Sequence, residues 1–75
     1  MKVVYAIGQA VDVNNRPARV AGMTDYLLDL TGNFENSNYF LGQSVVVSGL
    51  RYTVLGATSD SFHLEICGGH TIGEV

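Results

Sequence analysis

Residues 39–66 read YFLGQSVVVSGLRYTVLGATSDSFHLEI. Val45 and Val47 alternate with polar or outward positions, and so do Tyr52 and Val54, then Phe62, Leu64 and Ile66. A period of two is the mark of a β-strand with one buried face. Ser48-Gly49 and Thr58–Ser61 supply the turns between the three runs. The same text occurs earlier, at Tyr5–Leu30, as YAIGQAVDVNNRPARVAGMTDYLLDL. At an offset of 34, Tyr5, Gly8, Gln9, Val11, Val13, Val20, Gly22 and Thr24 recur as Tyr39, Gly42, Gln43, Val45, Val47, Val54, Gly56 and Thr58. That is eight identities in twenty positions, several times what chance supplies, and it marks an internal duplication.

The first copy fills in the unit. Val3 to Ile7 is apolar and β-branched and ends at Gly8. Asn14-Asn15 suits a two-residue hairpin, because asparagine tolerates the positive φ of a type I′ turn. Pro17 lacks a ladder donor, so the return strand starts at an edge or just after it. MTDYLLDLT can also be read as a helix capped by Thr24. The clean alternation of Phe62-His63-Leu64-Glu65-Ile66 in the second copy favours a strand there. Beyond Thr24 the best chemical match comes at an offset of 36, pairing Tyr26 with Phe62, Leu28 with Leu64, Asp29 with Glu65 and Leu30 with Ile66. The second turn is therefore expected to be two residues longer in the second copy.

These readings predict one all-β domain over residues 1–75. Repeat 1 covers about 3–32, a polar connector 31–38, repeat 2 about 39–68, and a flexible Gly-rich tail 67–75. Three strands cannot bury a face alone. Two such units can close into a six-stranded barrel, SH3-like or pseudo-two-fold, which also removes sheet edges; a compact sandwich is the alternative. The expected inward set is Val11, Val13, Val20, Tyr26, Leu28, Leu30, Val45, Val47, Tyr52, Val54, Phe62, Leu64 and Ile66. Leu27, Val46 and Leu55 point the other way. In so small a chain they are candidates for a protein interface, and a homo-oligomer is the expected form.

Composition narrows the function classes. The chain has 75 residues, four basic and seven acidic, for a net charge of -3; 47% is hydrophobic and 15% charged. A phosphate-backbone binder needs a basic footprint, so nucleic acid is not an expected partner. No run approaches the roughly 20 apolar residues of a membrane helix, and MKVVYAIGQ is too short and weakly basic for a signal peptide. With a single cysteine, Cys67, no internal disulfide can form. A cytoplasmic or virion location is expected.

The chemistry-bearing residues are sparse. His63, Cys67 and His70 have an H-x3-C-x2-H spacing, but a structural zinc site needs a fourth ligand that is not evident. Asp60, Ser61 and His63 contain the residue types of a triad, yet triads are assembled in space, and Asp60-Ser61 is ordinary turn chemistry. No phosphate-cradling glycine motif occurs. Arg16, Arg19 and Arg51 stand without an aromatic ladder. Asp29 and Glu65 read as matched outward carboxylates. No catalytic, metal or cofactor residue is therefore expected.

Val45, Val47, Gly49, Tyr52 and Val54 form a V-x-V-x-G-x-x-Y-x-V run followed by a turn and an alternating strand. This resembles small β-barrel structural proteins of tailed phages, of the head-completion, head-tail joining and decoration types, over about a third of the chain. The resemblance implies a non-enzymatic protein that acts by docking onto other subunits. The plasmid-borne SH3-like reductases are of similar size, but their Val-Gln-Ile-Tyr strand is absent. The leading expectation is a non-catalytic structural or interaction protein, with Leu27, Val46 and Leu55 at its interface. Two others stand beside it. One is a small-ligand binder or enzyme whose site lies on a symmetry axis lined by Gln9 and Gln43. The other is a small inhibitory protein that binds a host or viral partner.

Overall fold

The computed structural model of the chain describes residues 2–34 and 39–75. Eight strands are present among them: β1 Lys2–Tyr5, β2 Ala10–Val13, β3 Arg16–Met23, β4 Leu27–Gly32, β5 Ser44–Val47, β6 Leu50–Ala57, β7 Ser61–Ile66 and β8 Thr71–Glu74. Six of them close into an antiparallel barrel in the order β2-β3-β4-β7-β6-β5. The segment with the helical alternative is strand β4. The other two strands, β1 and β8, pair in parallel as a separate ribbon.

The barrel is two meanders, β2-β3-β4 and β5-β6-β7, with equivalent strands 34 residues apart. Local geometry repeats with them. Asn14 and Asn15 (φ +47° and +68°) match Ser48 and Gly49 (φ +52° and +82°), the two left-handed residues of a type I′ hairpin. A β-bulge falls between Val20 and Gly22, and its counterpart between Val54 and Gly56. The offset of 34 also survives past Thr24, which corrects the expected lengthening. Thr24 donates its backbone N–H to Leu27 O at 2.9 Å, and Thr58 donates its own to Ser61 O at 2.8 Å. Both turns thus have the same length. Leu28 is equivalent to Phe62, and Leu30 to Leu64. Tyr26 corresponds to Asp60 in the turn, which is why it is 63% exposed rather than in the core.

The meanders meet at two seams. In the β4–β7 ladder Asp29 faces His63; at the β2–β5 closure Val13 faces Val47. Each is a pair of equivalent residues, so a pseudo-two-fold axis enters one wall and leaves by the opposite one. The β2–β5 seam has that single register pair. Asn14 extends it: its N–H donates to Val46 O at 3.0 Å and its Oδ1 accepts from Val46 N–H at 3.0 Å. A side-chain amide thereby imitates a further ladder rung where the strands diverge.

Alternation fills the interior. Val11, Val13, Val20, Leu28, Leu30, Val45, Val47, Tyr52, Val54, Phe62 and Leu64 are buried as the pattern requires. Each such side chain contributes about 1.5–3 kcal/mol on removal from water. Ile66 is only partly buried against this core. Tyr5, Ala18, Phe34 and Ile72 complete it. Phe34, Tyr39 and Phe62 pack edge-to-face, with Tyr39 and Phe62 centroids 4.5 Å apart. Phe34 and the strand residues Thr31 and Gly32 belong to the expected connector, whose residues 35–38 lie outside the described ones.

The expected flexible tail is replaced by structure. Gly68 and Gly69, both left-handed (φ +81° and +76°), turn the chain back. Thr71–Glu74 then forms β8 against β1, with Ile72 fully buried. The β1 ladder, the buried Ile72 and the buried His70 together hold a segment whose composition looks unstructured.

Candidate functional site

The expected interface residues are all on the outside: Leu27 39%, Val46 46% and Leu55 43% exposed. They do not adjoin one another in register. Val46 lies opposite Arg51, Leu27 opposite Glu65, and Glu65 is followed across the sheet by Thr53. Leu55 is the extra residue of the β6 bulge, pushed outward where the ladder skips from Val54 to Gly56. Polar side chains therefore separate the three.

Leu55 has other apolar company. Phe40, Leu41, Gly42 and Gln43 form a tight turn: Gln43 N–H donates to Phe40 O at 3.1 Å, and Gly42 takes φ +84°. Gln43 Oε1 reaches back to accept from Phe40 N–H at 3.1 Å. The turn holds Phe40 67% and Leu41 74% exposed. Tyr39, Phe40, Leu41, Leu55, Gly56 and Ala57 line most of a cleft of about 720 Å³. At the equivalent corner of the first meander stand Ala6, Ile7 and Ala21. The backbone there is the same, with Gly8 at φ +87° and Gln9 Oε1 accepting from Ala6 N–H at 2.9 Å. Two of the three side chains are smaller there, Ala6 for Phe40 and Ala21 for Leu55, while Ile7 matches Leu41 in bulk and is 53% exposed. Sequence reasoning missed Phe40 and Leu41 because they look like strand residues. The repeated Gly-Gln pair was the available signal, since it marks a turn and so places the two preceding residues in solvent.

The polar candidates are dispersed. His63 Nδ1 lies 2.7 Å from Asp29 Oδ1, and both side chains are about half exposed (52% and 50%). Gly22 and Gly56 flank this pair in register, and the Asp29 and His63 side chains lean over them, 3.7 Å from where a Cβ would stand at each. His63 is thus engaged by Asp29 and not by Ser61, whose Oγ donates to Asp60 Oδ1 at 3.4 Å. Asp29 and Glu65 are not counterparts across the axis, because Asp29 is equivalent to His63. Cys67 Sγ contacts Thr53 Oγ1 at 2.9 Å, while His70 is buried with its Nε2 unpartnered among the described residues. Among the described residues no three His, Cys, Asp or Glu side chains converge as metal ligands. Arg19 donates to Gly8 O at 2.9 Å, on a different strand from Arg51. Gln9 and Gln43 are occupied as turn caps and do not line the barrel interior.

Among the described residues, one titratable group is strongly perturbed. Tyr5 and Tyr52 hydroxyls meet at 3.2 Å inside the protein, joining β1 to the barrel. Burial above all, then the Tyr5 hydrogen bond and the charge of Tyr5, pushes the Tyr52 phenol far above its ordinary range. A phenol held neutral in this way serves as a structural bond. His70 stacks edge-on to Tyr52, with centroids 5.6 Å apart.

No protein-family model matches the chain, and no curated protein or solved structure matches it.

Proposed function

We propose that this chain is a non-catalytic structural or interaction protein that acts by docking onto protein subunits. The resemblance carried by Val45, Val47, Gly49, Tyr52 and Val54 makes a virion assembly component its setting. The observation that supports this reading is the corner formed by Phe40, Leu41 and Leu55. A hydrogen-bonded turn and a bulge hold Phe40, Leu41 and Leu55 in water, whereas the first meander carries only Ala6 and Ala21 at the positions of Phe40 and Leu55. Large apolar groups kept on a surface by tight backbone geometry mark a place where water is to be displaced by a partner.

The test is affinity purification of the tagged protein from the cells that naturally make it, with identified partners quantified. Stoichiometric partners, or further copies of the chain, are expected with the wild type and lost with Leu55→Asp. Recovery of the chain alone, as a monomer, at every concentration tried would refute the proposal.

A further inference from the structure

We infer that the cleft between the β5–β6 hairpin and the Cys67–His70 turn binds a small organic anion, a molecule with an apolar body and a carboxylate or phosphate head. The site is separate from the Phe40–Leu41–Leu55 corner and shares no lining residue with it. Its volume is about 380 Å³, and Val46, Leu50, Arg51, Cys67 and His70 are among its walls. That is the size of a small-molecule site. Backbone pairing assembles it. Val46 and Val47 face Arg51 and Leu50 across the hairpin, and Cys67 N–H donates to Arg51 O at 3.2 Å, which draws the turn against the hairpin. Gly68 and Gly69, both left-handed, then bring His70 back edge-on to Tyr52.

Two polar groups here are unengaged. Arg51 alternates with the inward Tyr52, so its side chain is exposed, and among the described residues nothing pairs with its guanidinium. His70 is only 7% exposed, and its Nε2 has no hydrogen-bond partner among the described residues. A buried polar nitrogen without a partner costs free energy, so packing alone does not explain an imidazole in this wall. An anionic oxygen suits both groups. The guanidinium pairs with it, and an imidazole with its proton on Nε2 donates to it. No carboxylate lines the cleft, so the site is positive although the chain carries a net charge of -3. Val46 and Leu50 give the apolar body a wall. The thiol is not the anchor, because Cys67 Sγ is already engaged by Thr53 Oγ1 at 2.9 Å. The duplication does not account for this set either. The positions equivalent to Val46, Leu50, Arg51 and Cys67 carry Asp12, Arg16, Pro17 and Asn33.

The test follows amide shifts of the isotope-labelled chain by NMR as benzoate is raised to about 50 mM at constant pH and ionic strength. Shifts are expected to saturate at Arg51, Cys67, Gly68 and His70 with a Kd of about 1 mM, since one exposed ion pair and a small apolar contact hold the probe. Benzamide, the same ring without the charge, is expected to bind about fivefold more weakly. Phenyl phosphate replaces benzoate in a second titration; saturable binding of either supports the inference, and the tighter one names the head group. Arg51→Gln is expected to weaken binding about fivefold. Arg16→Gln, which removes the same charge elsewhere, is expected to leave it unchanged. His70→Phe keeps a ring against Tyr52 without the nitrogens and is expected to weaken binding too. Circular dichroism checks that each variant folds. Shifts that never saturate with either anion, benzamide binding as tightly as benzoate, equal effects of the two arginine variants, or full binding by His70→Phe each overturn the inference. Shifts centred on Phe40 and Leu41 also overturn it, because they report adhesion to the exposed corner.

Discussion

The Tyr5–Tyr52 hydroxyl pair allows the sharpest test of how β1 is fastened to the barrel. Both residues are buried, at 1% and 0% exposure, and their oxygens lie 3.2 Å apart. Tyr5→Phe strands the Tyr52 hydroxyl without that partner, and Tyr52→Phe strands the Tyr5 hydroxyl. Each single change is expected to lower stability by about 1–3 kcal/mol, the usual penalty for a buried polar group left unpaired. The double variant removes both hydroxyls and leaves two phenyl edges in contact, a replacement that is near neutral in general. The double change should therefore cost less than the sum of the singles, with a coupling of about 1–2 kcal/mol. Urea unfolding followed by far-ultraviolet circular dichroism measures this, as the chain has no tryptophan. The pair also predicts a pH dependence. Its folded-state phenol at Tyr52 holds its proton well above the ordinary value of 10.0, whereas the unfolded chain releases it near that value. Above pH 10 the folded state then binds more protons than the unfolded one. The contribution of Tyr52 to stability is constant below that pH and falls above it, by up to about 1.4 kcal/mol per pH unit, and Tyr52→Phe removes this contribution. Additive single variants, or an alkaline slope unchanged in Tyr52→Phe, would refute the buried hydrogen bond.

Three further outcomes follow from packing. Gly32→Ala is expected to destabilise by about 1–3 kcal/mol in thermal unfolding, because a Cβ there would lie 3.1 Å from Pro17 O and 3.2 Å from the Phe34 ring. Asn14→Ala deletes the side-chain acceptor for Val46 N–H at the narrow β2–β5 seam; a loss of about 1 kcal/mol is expected, with faster amide exchange at Val46. Val46→Asp, which places the first meander's Asp12 at the equivalent site, is expected to leave the fold intact and shift stability by less than about 0.5 kcal/mol. Its carboxylate lies opposite Arg51 on an exposed face. Unfolding of this variant would show that Val46 supports the core.

The barrel was legible because its strands advertise themselves locally. Val11, Val13, Val45 and Val47 alternate, and the turns between them carry residues that accept positive φ. The repeat was legible for the same reason, and it failed only where side-chain likeness competed with turn geometry. Tyr26 resembles Phe62 chemically, yet the four-residue turns at Thr24 and Thr58 make it the equivalent of Asp60. The β1–β8 ribbon was not legible. Parallel pairing between distant segments leaves no hairpin signal, and Ile72 is one apolar residue among glycines. The exposed corner was half legible: Leu55 showed as outward, but Phe40 and Leu41 were hidden by their strand-like composition.

The ribbon has a consequence for the order in which the molecule forms. Lys2 pairs with Thr71 and Tyr5 with Glu74, the widest sequence separations in the fold. Every other pairing within a meander closes a short loop, and such contacts form early because little chain entropy opposes them. During synthesis β1 emerges before the other seven strands and waits longest for its ladder partner, residues 71–74, although Tyr52, whose hydroxyl Tyr5 meets, is made earlier. Of the eight strands, the first made is thus the last to complete its backbone pairing.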